Sequence, residues 1–101
     1  MSFVNVNGDT AVIYVPERFN LVNTSLVKKE LDEAFKKGAM KVLLDFKETT
    51  FIDSSAIRDI ALIYNRVKSD NFNIINVSGD VYKILSAAKL DKVWHLPTPA
   101  E

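Results

Sequence analysis

A carboxylate followed by two hydroxyls, Asp53-Ser54-Ser55, stands where the chain passes from the short stretch Thr49-Thr50-Phe51-Ile52 into Ile57, Ile60, Ala61, Tyr64 and Val67, apolar residues at helical spacing. An aspartate directly before such a period is an N-cap, whose side chain accepts a hydrogen bond from an amide that has no partner inside the helix, worth about 1 kcal/mol. Ser54 and Ser55 then fall in the first turn. Free N–H groups and a partial positive charge at a helix start suit an added phosphate, so a serine there is modifiable without unfolding its own helix. The same residues also serve an ordinary helix start, because Asp and Ser favour caps for backbone reasons alone. Periodicity and capping by themselves leave both readings open.

Other chemistries are poorly served. A serine nucleophile needs a base, and His95, the single histidine, is the one candidate, with Asp53 as its orienter. Ser55 has no glycine-flanked elbow and nothing marks an oxyanion hole, so the chain is expected not to be an enzyme. Gly8, Gly38 and Gly79 are scattered, which excludes a glycine-rich phosphate loop. One histidine and no cysteine exclude thiolate and histidine-rich metal sites, disulfides and cysteine nucleophiles, and no carboxylate clustering suggests a hard-cation site. No cofactor is expected.

Composition narrows the partners. Thirteen basic and thirteen acidic residues cancel over 101 positions, whereas a general nucleic-acid binder shows a basic stripe. Lys28-Lys29 and Lys36-Lys37 alternate with Glu30, Asp32 and Glu33 as on a solvated helix face. The N-terminus lacks the basic and apolar regions of a signal peptide, and no apolar run approaches the roughly 20 residues that span a bilayer. The expected location is the cytoplasm, or the cytoplasmic face of a membrane complex without direct insertion.

The elements that must hold Asp53-Ser54-Ser55 follow from pattern. Phe3 to Val6 and Asp9 to Val15 form an antiparallel hairpin about Asn7-Gly8. Glu17 to Val22 form a loop in which Phe19, Leu21 and Val22 pack on the sheet end. Asn23 or Thr24 caps a helix to about Lys37 that buries Val27, Leu31, Ala34 and Phe35 and stops at Gly38. Lys41 to Phe46 is a strand buried on both faces, Asp53 opens a helix to about Ser69, and Phe72 to Val77 is a further strand. Ser78-Gly79-Asp80 opens a third helix burying Val81, Ile84, Leu85 and Ala88, and Lys92 to Leu96 is an edge strand ended by Pro97. The order β-β-α-β-α-β-α-β predicts a single α/β domain over residues 1–101. It has a mostly parallel sheet of about five strands, right-handed crossovers and one antiparallel hairpin. On the second helix Ser55, Arg58, Asp59, Leu62 and Arg66 share the outward stripe, and Arg58 can pair with a phosphate on Ser54 or Ser55, or with Asp59 or Asp53.

The element order, the length and the segment Phe51-Ile52-Asp53-Ser54-Ser55-Ala56-Ile57 together resemble the STAS domains, the family of bacterial anti-sigma factor antagonists and of cytosolic domains on sulfate transporters. The resemblance covers essentially the whole chain. It implies that Ser55, or alternatively Ser54, is a phosphorylation site beside the acidic Asp53, and that Asp53, Ser54, Ser55, Arg58, Asp59, Leu62 and Asn20 meet a protein partner. Asn20 stands where the family often carries an acidic residue, and Ala56 and Arg58 stand where antagonists commonly carry glycine. The implied function is a partner switch: the unmodified protein binds an anti-sigma factor serine kinase and frees the sigma factor, phosphorylation ends that binding, and a phosphatase resets it. The alternative within the family is an adapter not switched by phosphate, in a membrane lipid-transport complex or a signalling scaffold.

Overall fold

Alternation of side chains builds the sheet. In the computed structural model, which describes residues 2–97 and 99, strand β1 (Val4–Asn7) pairs antiparallel with β2 (Thr10–Tyr14), Val4 opposite Ile13 and Asn7 opposite Thr10. The turn is therefore Gly8-Asp9, one residue later than the Asn7-Gly8 expected from sequence. Gly8 takes the positive φ of 64° at the first central position, where a tight hairpin turn favours glycine. Strand β4 (Lys41–Asp45) runs parallel to β2, and β6 (Phe72–Ile75) runs parallel to β4, so the four-stranded order is β1-β2-β4-β6.

Strands Arg18–Phe19 (β3) and Phe51–Ile52 (β5) form a separate two-stranded parallel ladder. Expecting about five strands in one sheet thus gives way to four plus a short ladder. The predicted loop from Glu17 to Val22 is corrected too: it supplies β3 and the start of helix α1 (Leu21–Lys36), capped by Asn20 and not by Asn23 or Thr24. Phe19 is fully buried as expected, whereas Leu21 and Val22 are exposed.

Ala11, Ile13, Val42, Leu44 and Ile74 point to one sheet face, where they meet Val27, Leu31 and Ala34 of α1 and Ala56, Ile60, Ile63 and Val67 of α2 (Ser54–Val67) in one core. Lys41 to Phe46 was expected to be buried on both faces, but Leu43 and Asp45 are only half-buried. β4 therefore alternates, with Val42 and Leu44 buried between more accessible neighbours. The inward line of α2 is also turned relative to the sequence reading. Ala56 and Ile63 are deep, while Ile57, Ala61 and Tyr64 are partly buried against the core. Helix α3 (Gly79–Ala87) is capped by Ser78, whose Oγ accepts the Val81 N–H at 3.2 Å, and it buries Val81 and Leu85. Ile84 is partly buried and Ala88 is exposed.

The last predicted strand is absent. Residues Asp91 to His95 make a turn, with the Trp94 N–H bonded to the Leu90 carbonyl at 3.0 Å and the Leu96 N–H to the Asp91 carbonyl at 2.9 Å. His95, inside the predicted strand, adopts a positive φ of 52°, which an extended strand does not allow. Trp94 is buried beside Phe72, ring centroids 6.2 Å apart, so one aromatic plugs the core edge and its neighbours remain exposed. Among the described residues no helix is long and apolar enough to cross a membrane, and no group of three or more His, Cys, Asp or Glu side chains is placed to hold a metal ion.

Candidate functional site

Two strand-to-helix turns are clamped side by side. The Thr50 N–H donates to the Glu17 carbonyl at 2.8 Å and the Asp53 N–H to the Phe19 carbonyl at 3.2 Å, while Phe19 and Ile52 are buried beneath them. Each turn ends in a cap: Asn20 opens α1 and Asp53 opens α2. Asn20 Oδ1 accepts the Asn23 N–H at 3.1 Å, and Asn23 Nδ2 donates to the Arg18 carbonyl at 2.6 Å.

Asp53 serves both helices. One oxygen, Oδ1, accepts the Ala56 N–H at 2.9 Å, as the sequence predicts for an N-cap, and Oδ2 accepts the Leu21 N–H at 3.2 Å from the first residue of α1. The carboxylate lies where both helix starts bring partial positive charge. Having both oxygens on backbone amides, it performs the work of a cap and not that of a triad orienter. His95, moreover, is exposed on the turn after α3.

Ser54 and Ser55 occupy the first two helical positions, whose N–H groups have no acceptor within a helix. Ser54 is exposed and Ser55 half-buried. The difference is directional: Ser55 faces α1, where it lines a groove of about 160 Å³ with Leu21, Thr24, Lys28, Arg58, Asp59 and Leu62. Of the residues predicted as a site, Ser55, Arg58, Asp59 and Leu62 therefore come together in this groove. Asp53 and Asn20 cap the two helices that form it, and Ser54 lies beside it on the exposed side.

Asp59 is the least comfortable group there. Its Oδ2 is buried without a hydrogen-bond partner among the described residues. Burial pushes its carboxyl above the usual aspartate range and Asp32 pushes the same way, against the pull of Lys28 and Arg58. Asp32 itself pairs with Arg66 at 3.2 Å, and the Arg66 guanidinium lies 4.0 Å from the centre of the Phe35 ring.

Sequence reasoning missed the contribution of α1. Leu21, Val22 and Leu26 are exposed there, Leu21 at 65% and Val22 at 70%, and Leu62 of α2 is exposed at 52%. Leu21 and Leu62 line the same groove. The available signal was Asn20: taken as the cap, it puts Thr24, Val27, Leu31 and Ala34 on the buried line and Lys28 toward α2.

The STAS domain family model matches residues 3–99. Among solved structures, the protein TM1081 of Thermotoga maritima aligns with a TM-score of 0.79 at 24% identity, covering 98% of this chain and 82% of that one. An anti-sigma-factor antagonist (STAS) domain protein from Planctomyces limnophilus aligns with a TM-score of 0.74 at 24% identity over 93% of this chain and 87% of its own. The Bacillus anti-sigma factor antagonist SpoIIAA, in its unphosphorylated form, aligns with a TM-score of 0.72 at 18% identity over 94% and 97%. At these identities the likeness is one of fold. No curated protein matches the sequence.

Proposed function

The chain belongs to the STAS domain family, and from that premise we propose that it is a phosphorylation-switched protein-binding module of the anti-sigma factor antagonist type, with Ser55 as acceptor. The observation that carries this reading is the position of Ser55: in the first turn of α2, part accessible, and lining a groove bordered by exposed leucines. In the unmodified state the groove and the α1 start bind an anti-sigma factor serine kinase. That kinase transfers the γ-phosphoryl of ATP to Ser55 Oγ, the bond to ADP breaks, and the hydroxyl proton is lost. The phosphate brings about −1.5 to −2 charges to a surface that had been docked against a protein, and binding ends until a phosphatase removes it. Ser54, on the exposed side, is the alternative acceptor. The solved SpoIIAA forms are described as unphosphorylated and phosphorylated, which supports carrying a phosphate switch over to this chain. The setting is the bacterial cytoplasm, and the output is transcription regulation through a sigma factor.

Incubation with the cognate kinase and ATP is expected to add one phosphoryl group, absent in Ser55→Ala. Ser55→Asp is expected to weaken kinase binding, measured by calorimetry. Unchanged affinity in the aspartate variant overturns the switch. The exposed apolar group Leu21, Val22, Leu26 and Leu62 also fits a second reading, an adapter that binds its partner whatever the state of Ser55. Co-purification with a transporter ATPase, unaffected by Ser55→Asp, selects that reading.

A further inference from the structure

We propose that Lys28 and Arg58 form a two-cation clasp for a phosphoryl group on Ser55, holding it in the groove between α1 and α2, where Asp59 is the carboxylate it must outcompete for them. This rests on Ser55 as the acceptor and concerns what the phosphate does once attached.

Helical spacing sets the parts opposite one another. Ser55, Arg58, Asp59 and Leu62 stand three, four and seven residues apart on α2. Leu21, Thr24 and Lys28 stand three and seven apart on α1, and all seven line one groove. Ion pairing leaves the two cations uncommitted. Among the described residues the pairs within 4.0 Å are Lys41 with Asp9 and Arg66 with Asp32, and neither Lys28 nor Arg58 is in one. The anion available to them is Asp59, which is half-buried and has one oxygen without a hydrogen bond. An unsatisfied buried acceptor is a costly partner.

A phosphoserine dianion presents three acceptor oxygens and more charge than a carboxylate, and arginine matches it with two parallel N–H donors. It outcompetes Asp59 for both cations. The charged groups around it are Lys28 and Asp32 from α1, and Asp53, Arg58, Asp59 and Arg66 from α2. Asp32 and Arg66 neutralise each other, Asp53 is bound to amides, and the balance falls to Lys28, Arg58 and Asp59. Phosphorylation then acts on a docked partner twice: it adds negative charge, and it folds two positive side chains back from the surface.

The test installs phosphoserine at position 55 during synthesis, so that no kinase is involved, and follows its phosphorus resonance against pH. The second ionisation is expected below that of a phosphoserine peptide of the same local sequence. Lys28→Gln and Arg58→Gln should each raise the midpoint by roughly 0.2–0.7 pH unit, the size of an exposed charge pair, and Asp59→Asn should lower it. Phosphoserine placed at position 54 should be indifferent to Lys28→Gln. Midpoints unmoved by both glutamine substitutions overturn the clasp. Failure of the acceptor assignment shows elsewhere, as absence of phosphoryl transfer to the unmodified protein.

Discussion

Asp53 is a single carboxylate answering for two helix starts, and this makes it worth more than a cap of ordinary kind. Removing it orphans the Ala56 N–H in α2 and the Leu21 N–H in α1 together. Loss of one cap costs about 0.5–2 kcal/mol, and Asp53→Ala is expected in the upper part of that range by urea denaturation. Asn20→Ala frees only the Asn23 N–H on its side-chain account and should cost less. Asp53→Asn keeps one carbonyl oxygen for a cap, gives up the other acceptor and the charge, and should fall between. Equal losses for Asp53→Ala and Asn20→Ala would mean that the second bond contributes nothing. The Ala56 and Leu21 bonds both go to Asp53, and Ser54 and Ser55 beside it take no part in them, so the phosphate proposed for Ser55 would leave those bonds in place.

At the scale of elements, legibility tracked how local the cause was. The start of α2 was readable because its cap is the residue directly before an apolar helical period, and the Asp53 cap bond to Ala56 is local. The parallel direction of β2, β4 and β6 followed from alternation of strand and helix. The ladder of Arg18–Phe19 with Phe51–Ile52 was not readable, since two-residue strands carry no period and are held by partners more than thirty positions away. Missing that ladder moved the cap of α1 from Asn20 to Asn23 or Thr24, and so left Leu21 and Val22 in a loop instead of on the first turn of the helix that lines the groove. Trp94 misled for the opposite reason: its apolar neighbours suggested a strand, but burial against Phe72 needs only the one ring. One element end also carries strain. Lys68, which closes α2, sits at φ 71° and ψ 167°, a region that is essentially glycine's and costs about 1–3 kcal/mol for other residues. Lys68→Gly is therefore expected to raise stability by about 1 kcal/mol, read as a higher urea midpoint with an unchanged slope. A lower midpoint would show that the side chain is needed there.

For the whole molecule, the two perturbed carboxylates make opposite demands on pH. Burial pushes the Glu30 carboxyl upward, but the Ser2 hydroxyl and the Val4 and Phe3 amides, all bonded to Oε1, outweigh it and hold the group below its ordinary value. Glu30 thus fastens the start of β1 to α1 in its ionised form. That stability is present above the unfolded-state pKa of about 4.3 and is lost as pH falls through the lower folded value. Asp59 runs the other way. Burial raises its folded value, so its contribution is full below the unfolded pKa of about 3.9 and is lost as pH rises through the folded one. Glu30→Gln keeps an acceptor and removes the charge, and should lower the urea midpoint near pH 7, with the loss shrinking as pH falls through the folded value of Glu30. Asp59→Asn should raise the midpoint near pH 7, with the gain fading in acid. A loss at neutral pH in Asp59→Asn would mean that Lys28 and Arg58 already hold the carboxylate firmly, leaving it a net contributor to the fold. A gain means that the seam between α1 and α2 carries an anion the fold would be more stable without, the state expected of a groove whose two cations are kept for another ligand.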